Sequence, residues 1–256
     1  MIYIIGGNGF VGSAIARACK AKSLTFELLT RENLDSFTGT SCDLLINANG
    51  NSKKFMAERE PLWEFDASVR SVRASLENIK AKKYVHLSTC DVYPDCSAPE
   101  HTREDQVLDI TKQSAYGFHK YLAEQCVMRH AASWLIFRMG GFVGPGLKKN
   151  AIYDILHGGP LWLNPESALQ FIHVDDAAEI ILTLALSETA GEIINLCADG
   201  TIALREVLET VAGPVEIKQE APTVTYCVSI EKLKKFAAVP ETRKSVLSYV
   251  KEQQLQ

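Results

Sequence analysis

Unbroken apolar runs and helix-period apolar faces take turns along this chain. Ile2-Tyr3-Ile4-Ile5, Leu24–Thr30, Tyr84–Thr89, Trp134–Met139 and Glu192–Leu196 read as strands, and Asp43–Asn51 as a strand running into a small polar loop. Between them, Leu62, Phe65, Val69, Val72, Leu76 and Ile79 recur at three- and four-residue spacings. That spacing predicts one amphipathic helix over Glu60–Ile79. Further helices are expected from near Thr111 to about His130, over Ala177–Leu184 and over Ala203–Val211. Strand followed by helix, repeatedly, implies an α/β protein. Segment 32–42 is short for a full helix plus an extra strand, so that crossover is abbreviated.

The first dozen residues carry the sharpest local signal. Gly6-Gly7-Asn8-Gly9-Phe10-Val11-Gly12 stands between the first strand and the small-residue helix Ser13–Ala18. Glycines there serve a tight turn, close approach of backbone to a pyrophosphate, and close helix–sheet packing. Phosphates would sit over the free N–H groups at the helix N-terminus, so the segment reads as a dinucleotide cradle. The second strand ends at Arg31, followed by Glu32. An arginine there suits a 2′-phosphate and an acid suits a 2′-hydroxyl, so the reading is NADP, with NAD as the alternative. Asn47-Ala48-Asn49-Gly50 is small enough to lie under such a cofactor, or it is a simple strand-end turn.

Composition narrows the class without adding chemistry. The chain has 256 residues, enough for one large α/β domain or a domain plus a lobe. A net charge of −4 gives no electrostatic footprint for nucleic acid. Seven scattered cysteines with no CxxC pair suit free thiols in a reducing, cytoplasmic compartment and give no zinc site. No apolar run approaches bilayer length, so no membrane partner is expected.

Tyr116 and Lys120 stand four apart on the helix expected after Thr111, and therefore share a face. They follow a strand ending in Ser88-Thr89, and strand ends of this kind are where open α/β sheets place ligands. Cys90-Asp91-Val92-Tyr93, Arg138-Met139-Gly140-Gly141-Phe142-Val143-Gly144-Pro145-Gly146 and Phe171-Ile172-His173-Val174-Asp175-Asp176-Ala177-Ala178 complete an ordered set. With these motifs the chain resembles the extended short-chain dehydrogenase/reductases, in the nucleotide-sugar epimerase/dehydratase/reductase group, over roughly residues 1–210.

That resemblance implies a doubly wound parallel sheet (a Rossmann fold) with a small C-terminal substrate lobe. The expected division is 1–146 with 174–198 for the dinucleotide-binding domain, and 147–173 with 199–256 for the lobe. It implies that Tyr116 exchanges a proton with a substrate oxygen. Lys120 would hold the nicotinamide ribose and lower the pKa of Tyr116, and Thr89 would hold the carbonyl or alcohol oxygen. Cofactor contacts fall to Gly6, Gly7, Asn8, Gly9, Phe10, Val11, Gly12, Arg31, Asn47, Ala48, Asn49, Ser88, Tyr116 and Lys120, with Ser88 otherwise a backbone-satisfying neighbour of Thr89. The substrate implied is a small molecule, a sugar nucleotide, and a homodimer is compatible with the reading.

Some positions depart from the group or read as structural. Gly141 stands where these enzymes carry an asparagine three residues after the arginine, and Cys90-Asp91 stands where dehydratases carry Asp-Glu. Dehydration is therefore disfavoured, leaving a sugar reductase first and an epimerase second. A non-catalytic NAD(P) sensor is the reading from another class, opposed by the joint presence of Thr89, Tyr116 and Lys120. Asp176 and Glu179 have capping-box spacing, and His173 reads as a packing histidine. Lys232, Lys234, Lys235, Arg243 and Lys244 read as a solvated basic face.

Overall fold

The computed structural model describes residues 1–51 and 53–255. Its strands are β1 (Ile2–Ile5), β2 (Phe26–Leu29), β3 (Ser41–Asn47), β4 (Lys80–Thr89), β5 (Trp134–Met139), β6 (Gly141–Val143), β7 (Ala168–Leu169), β8 (Phe171–His173), β9 (Glu192–Leu196) and β10 (Ile202–Ala203). Its helices are α1 (Phe10–Ala21), α2 (Met56–Arg59), α3 (Pro61–Phe65), α4 (Ser71–Asn78), α5 (Ala115–His130), α6 (Ala151–Leu156), α7 (Val174–Leu186), α8 (Leu204–Leu208) and α9 (Thr242–Gln254).

A six-stranded parallel sheet of order β2-β1-β3-β4-β5-β9 forms the centre of a Rossmann fold. The strands are apolar on both faces: Ile4, Leu45, Ile46, Val85, Ile136 and Phe137 have no exposed surface. Only a 3₁₀ turn, Leu34–Phe37, joins β2 to β3, so β3 returns directly to the far side of β1. The chain divides into two compact units. One comprises Met1–Pro94, Glu104–Met139 and Ala178–Ile194, and the other Asp95–Arg103, Gly140–Ala177 and Asn195–Gln256. Tyr3, Leu45, Tyr84, Val127 and Ile136 pack together in the first, and Ile152, Phe171, Leu204, Val246 and Tyr249 in the second.

Three local expectations need correction. The helix expected over 60–79 is instead α3 and α4 joined by a π turn at Asp66–Arg70, which the apolar spacing could not reveal. The helix expected from Thr111 begins at Ala115, because Ser114 is extended and its Oγ accepts the Gly117 N–H at 3.0 Å. Asp176 and Glu179 form no capping box. Asp176 lies inside the first turn of α7, a stabilising place for an acid, and Glu179 pairs with Lys22 at 2.9 Å. His173 does pack: its Nδ1 accepts the Asp175 N–H at 3.3 Å and its ring meets Tyr249 edge-on.

Candidate active site

β1 passes into α1 through a turn closed by the Gly9 N–H donating to the Gly6 carbonyl at 2.9 Å. Gly6 has φ +74°, and a Cβ there would lie 2.9 Å from the Ala48 carbonyl. A Cβ at Gly12 would run into the Gly6 carbonyl, so this glycine lets α1 sit on the turn. Gly7 is buried against Leu28, whereas Asn8 and Gly9 are exposed and Phe10 and Val11 half-buried at the rim. The first-turn N–H groups of α1 have no intrahelical partner, and no acidic residue stands there to compete for them. This cradle, with glycines at 6, 7, 9 and 12 and N–H donors at the start of α1, fits a pyrophosphate. Arg31 is exposed just past the end of β2.

The loop after β3 lies against this turn. Asn47 is buried: its amide donates to the Tyr84 hydroxyl at 2.7 Å, and its Oδ1 accepts the Asn49 N–H at 3.0 Å. Its side chain therefore braces the loop, while Ala48 and Asn49 remain half-buried at its surface. A side chain at Gly50 would approach the Lys120 Nζ to 3.3 Å, which ties this loop to α5.

Tyr116 and Lys120 both lie on the buried face of α5. Lys120 donates to the Leu87 carbonyl at 3.1 Å, and burial holds its ammonium down to about 8, opposed by Glu124 and Glu64. The Tyr116 hydroxyl donates to the Asn51 carbonyl at 3.0 Å. Burial pushes the phenol above its ordinary value, and Asp91 and Glu64 add to the rise. The direction is the opposite of the lowering that the resemblance implies.

Ser88 and Thr89 are neighbours on β4 and serve different networks. Ser88 Oγ donates to Glu124 Oε1 at 2.5 Å, a side-chain partner where a backbone one was expected. Glu124 also receives the Arg138 guanidinium, at 2.7 Å from Nη2, and the Arg138 Nη1 donates to the Tyr93 hydroxyl at 2.9 Å. Thr89 Oγ1 donates to Asp91 Oδ2 at 2.8 Å, while Asp91 Oδ1 accepts from Lys54 at 2.6 Å.

Several residues at this site escaped the sequence reading. Gly117 is one: a Cβ there would strike the Asp91 carbonyl, so its absence lets α5 close on the turn after β4. Glu64 is another, a fully buried carboxylate that binds Ser68 and His119. Asn51 and Lys54 meet Tyr116 and Asp91 only through folding, and no spacing rule announces them. Cys90 is buried with its Sγ on the Arg138 carbonyl at 3.1 Å, so it offers the site no acid. At Gly141 a Cβ would meet the Phe171 ring at 2.6 Å and the Gln170 carbonyl at 2.7 Å, which leaves no room for the group's asparagine. Among the described residues no cluster of metal-binding side chains occurs, and no helix is long and apolar enough to cross a membrane.

No curated protein matches the sequence significantly. Solved structures match throughout the chain. A UDP-galactose 4-epimerase is 19% identical with a TM-score of 0.79, covering 99% of this chain and 98% of its own. RMD from Pseudomonas aeruginosa, complexed with NADPH, is 18% identical with a TM-score of 0.79, covering 99% and 100%. The NDP-hexosamine 5,6-dehydratase TunA is 19% identical with a TM-score of 0.79, covering 100% and 98%. At these identities the likeness establishes the fold. The family itself rests on the sequence: residues 2–197 match the NAD dependent epimerase/dehydratase family, so the chain belongs to that family and is an NAD(P)-dependent enzyme.

Proposed function

We propose that the chain reduces a keto group on a nucleotide-linked sugar, with NADP as the preferred cofactor. What supports this reading is that Thr89 ends β4, that Lys120 on α5 donates to the β4 carbonyl of Leu87, and that Tyr116 one turn earlier on α5 donates to the Asn51 carbonyl in the loop after β3. When bound, the nicotinamide supplies the hydride. The first turn of α1 would hold its pyrophosphate, Arg31 its 2′-phosphate, and Lys120 its ribose. Tyr116, kept protonated by burial, is in the right state to give a proton to a ketone oxygen.

Nucleotide sugars are supported as the substrate class by neighbours such as MoeE5, solved with UDP-glucuronic acid and NAD. Elimination of water is disfavoured by Cys90, which faces away into the core. Epimerisation is the second reading, favoured by the family and by the UDP-galactose 4-epimerase fold. The crowded Gly141 and the exposed Arg31 favour a cofactor that exchanges as a co-substrate.

Titrating NADPH and NADH by intrinsic fluorescence, with Arg31→Ala alongside, tests the cofactor assignment. A guanidinium–phosphate contact is worth about 1.5–3 kcal/mol, so at least about a tenfold NADPH preference is expected, lost in the variant. Equal affinities in the wild type would refute it.

A further inference from the structure

Tyr116 and Lys120 both stand on α5, so the roll of that helix about its own axis decides where they point. Side chains reach about 5–6 Å from a helix axis, and a roll of about 10° therefore moves a tip by about 1 Å. A misplacement of that size can cost about a hundredfold in rate. Towards the sheet, α5 is held by Lys120 donating to the Leu87 carbonyl and by Glu124 accepting from Ser88. Towards α3 it is held by a buried carboxylate.

Glu64, on α3, has no exposed surface, and both of its carboxylate oxygens are engaged. Oε1 accepts from the Ser68 hydroxyl, in the π turn at Asp66–Arg70, and Oε2 accepts from His119 Nδ1 on α5. The Phe65 ring meets the His119 ring edge-on, with centroids 5.4 Å apart. At about 100° per residue, His119 lies about 60° round the helix from Tyr116 and about 100° from Lys120. An apolar residue at position 64 would pack α3 on α5 without the desolvation that a buried carboxylate costs. What the polar pair adds is direction, because a hydrogen bond weakens steeply off its axis whereas an apolar contact slides. Glu64 is also near enough to Tyr116 and Lys120 for its charge to be felt at both.

We infer that Glu64 and His119 are positioning residues, a clamp from α3 that sets the roll of α5 and with it the placement of the Tyr116 hydroxyl and the Lys120 ammonium. The catalytic consequence rests on the reduction proposed above, whereas the placement does not. Ser68 steadies the carboxylate from the π turn, an element that recurs at functional sites.

Crystal structures of the wild type and of Glu64→Leu/His119→Leu read the placement with no substrate present. The double variant keeps the interface packed and leaves no buried charge unpaired, so its urea midpoint should equal or exceed that of the wild type. The Tyr116 hydroxyl should nevertheless move by about 1 Å, off the Asn51 carbonyl that it meets at 3.0 Å. Tyr116 and Lys120 unmoved in the variant would overturn the inference. Asn and Leu have nearly the same shape, and an Asn amide nitrogen can take the place of His Nδ1. His119→Asn should therefore keep Tyr116 in place and His119→Leu should not, a comparison that stands if the double variant does not fold.

Kinetics give the second reading, on whichever member of a UDP-hexose and UDP-4-ketohexose panel the wild type turns over. The double variant should lose about tenfold or more in kcat without losing stability, while His119→Asn stays within about threefold of the wild type. Wild-type kcat in the double variant, or His119→Asn as slow as His119→Leu, would overturn the inference. Failure of the proposed function looks different: Tyr116→Phe would leave turnover intact, or the wild type would bind no nicotinamide cofactor.

Discussion

Ser88 and Thr89 are adjacent on one strand, and successive side chains of a strand point to opposite faces. Ser88 faces a dry network in which Glu124 has no exposure and the Arg138 side chain 2%. Every polar atom there is spent on another: Ser88 on Glu124, Glu124 on Arg138, Arg138 on Tyr93. Thr89 faces a wet one, which ends in the largely exposed Lys54. The difference separates holding from acting. The closed network fixes the end of β4 to α5 and β5, while the open one keeps a hydroxyl and a carboxylate where a ligand can reach them.

Breaking the dry side should be the costlier act. Glu124→Gln leaves the Arg138 guanidinium buried without its counter-charge, and unpairing a buried ion pair costs about 3–5 kcal/mol. The expected result is a lower urea midpoint with an unchanged slope.

Lys120 sharpens the comparison because it is as buried as Arg138 yet stands among the proposed catalytic residues. Its ammonium is held at about 8 against an ordinary 10.5, so the folded protein binds fewer protons than the unfolded chain between those values. The penalty is full below about pH 8 and fades as pH rises toward 10.5, so stability gains on the order of 3 kcal/mol across that window. Denaturation of wild type against Lys120→Met, from pH 7.5 to 10.5 in the same buffers, should show the gain in the wild type alone (the range being that of the assay, set by the window above).

Tyr116→Phe acts on the open side. It removes one hydrogen bond, to the Asn51 carbonyl, for a stability cost within about 1.5 kcal/mol. Turnover should fall by about two orders of magnitude or more, with cofactor binding retained. A stopped assay alongside a fluorescence titration separates the two effects.

The sequence carried the frame of this molecule far better than its wiring. Strands such as Trp134–Met139 and Glu192–Leu196 were legible because a covered parallel strand is apolar throughout. The glycine turn was legible because its spacing is local, as was the shared face of Tyr116 and Lys120. The π turn at Asp66–Arg70 was hidden, since one extra residue in a turn barely disturbs an apolar stripe. Lys54 and Glu64 were hidden for another reason. Charged residues in a sequence look solvated until folding brings a partner, and the partners here stand 37 and 55 residues away. Gly117 carried no signal in the sequence, because its use depends on the Asp91 carbonyl that folding sets against it.

The claim that the open network serves a reduction meets its most direct test in the cofactor balance. Wild-type enzyme is supplied with limiting NADPH and a UDP-4-ketohexose, and both product and reduced cofactor are counted by mass spectrometry. One NADPH consumed for each sugar reduced is the predicted result. Sugar converted to its epimer by catalytic cofactor, with the reduced and oxidised forms unchanged in amount, would contradict it.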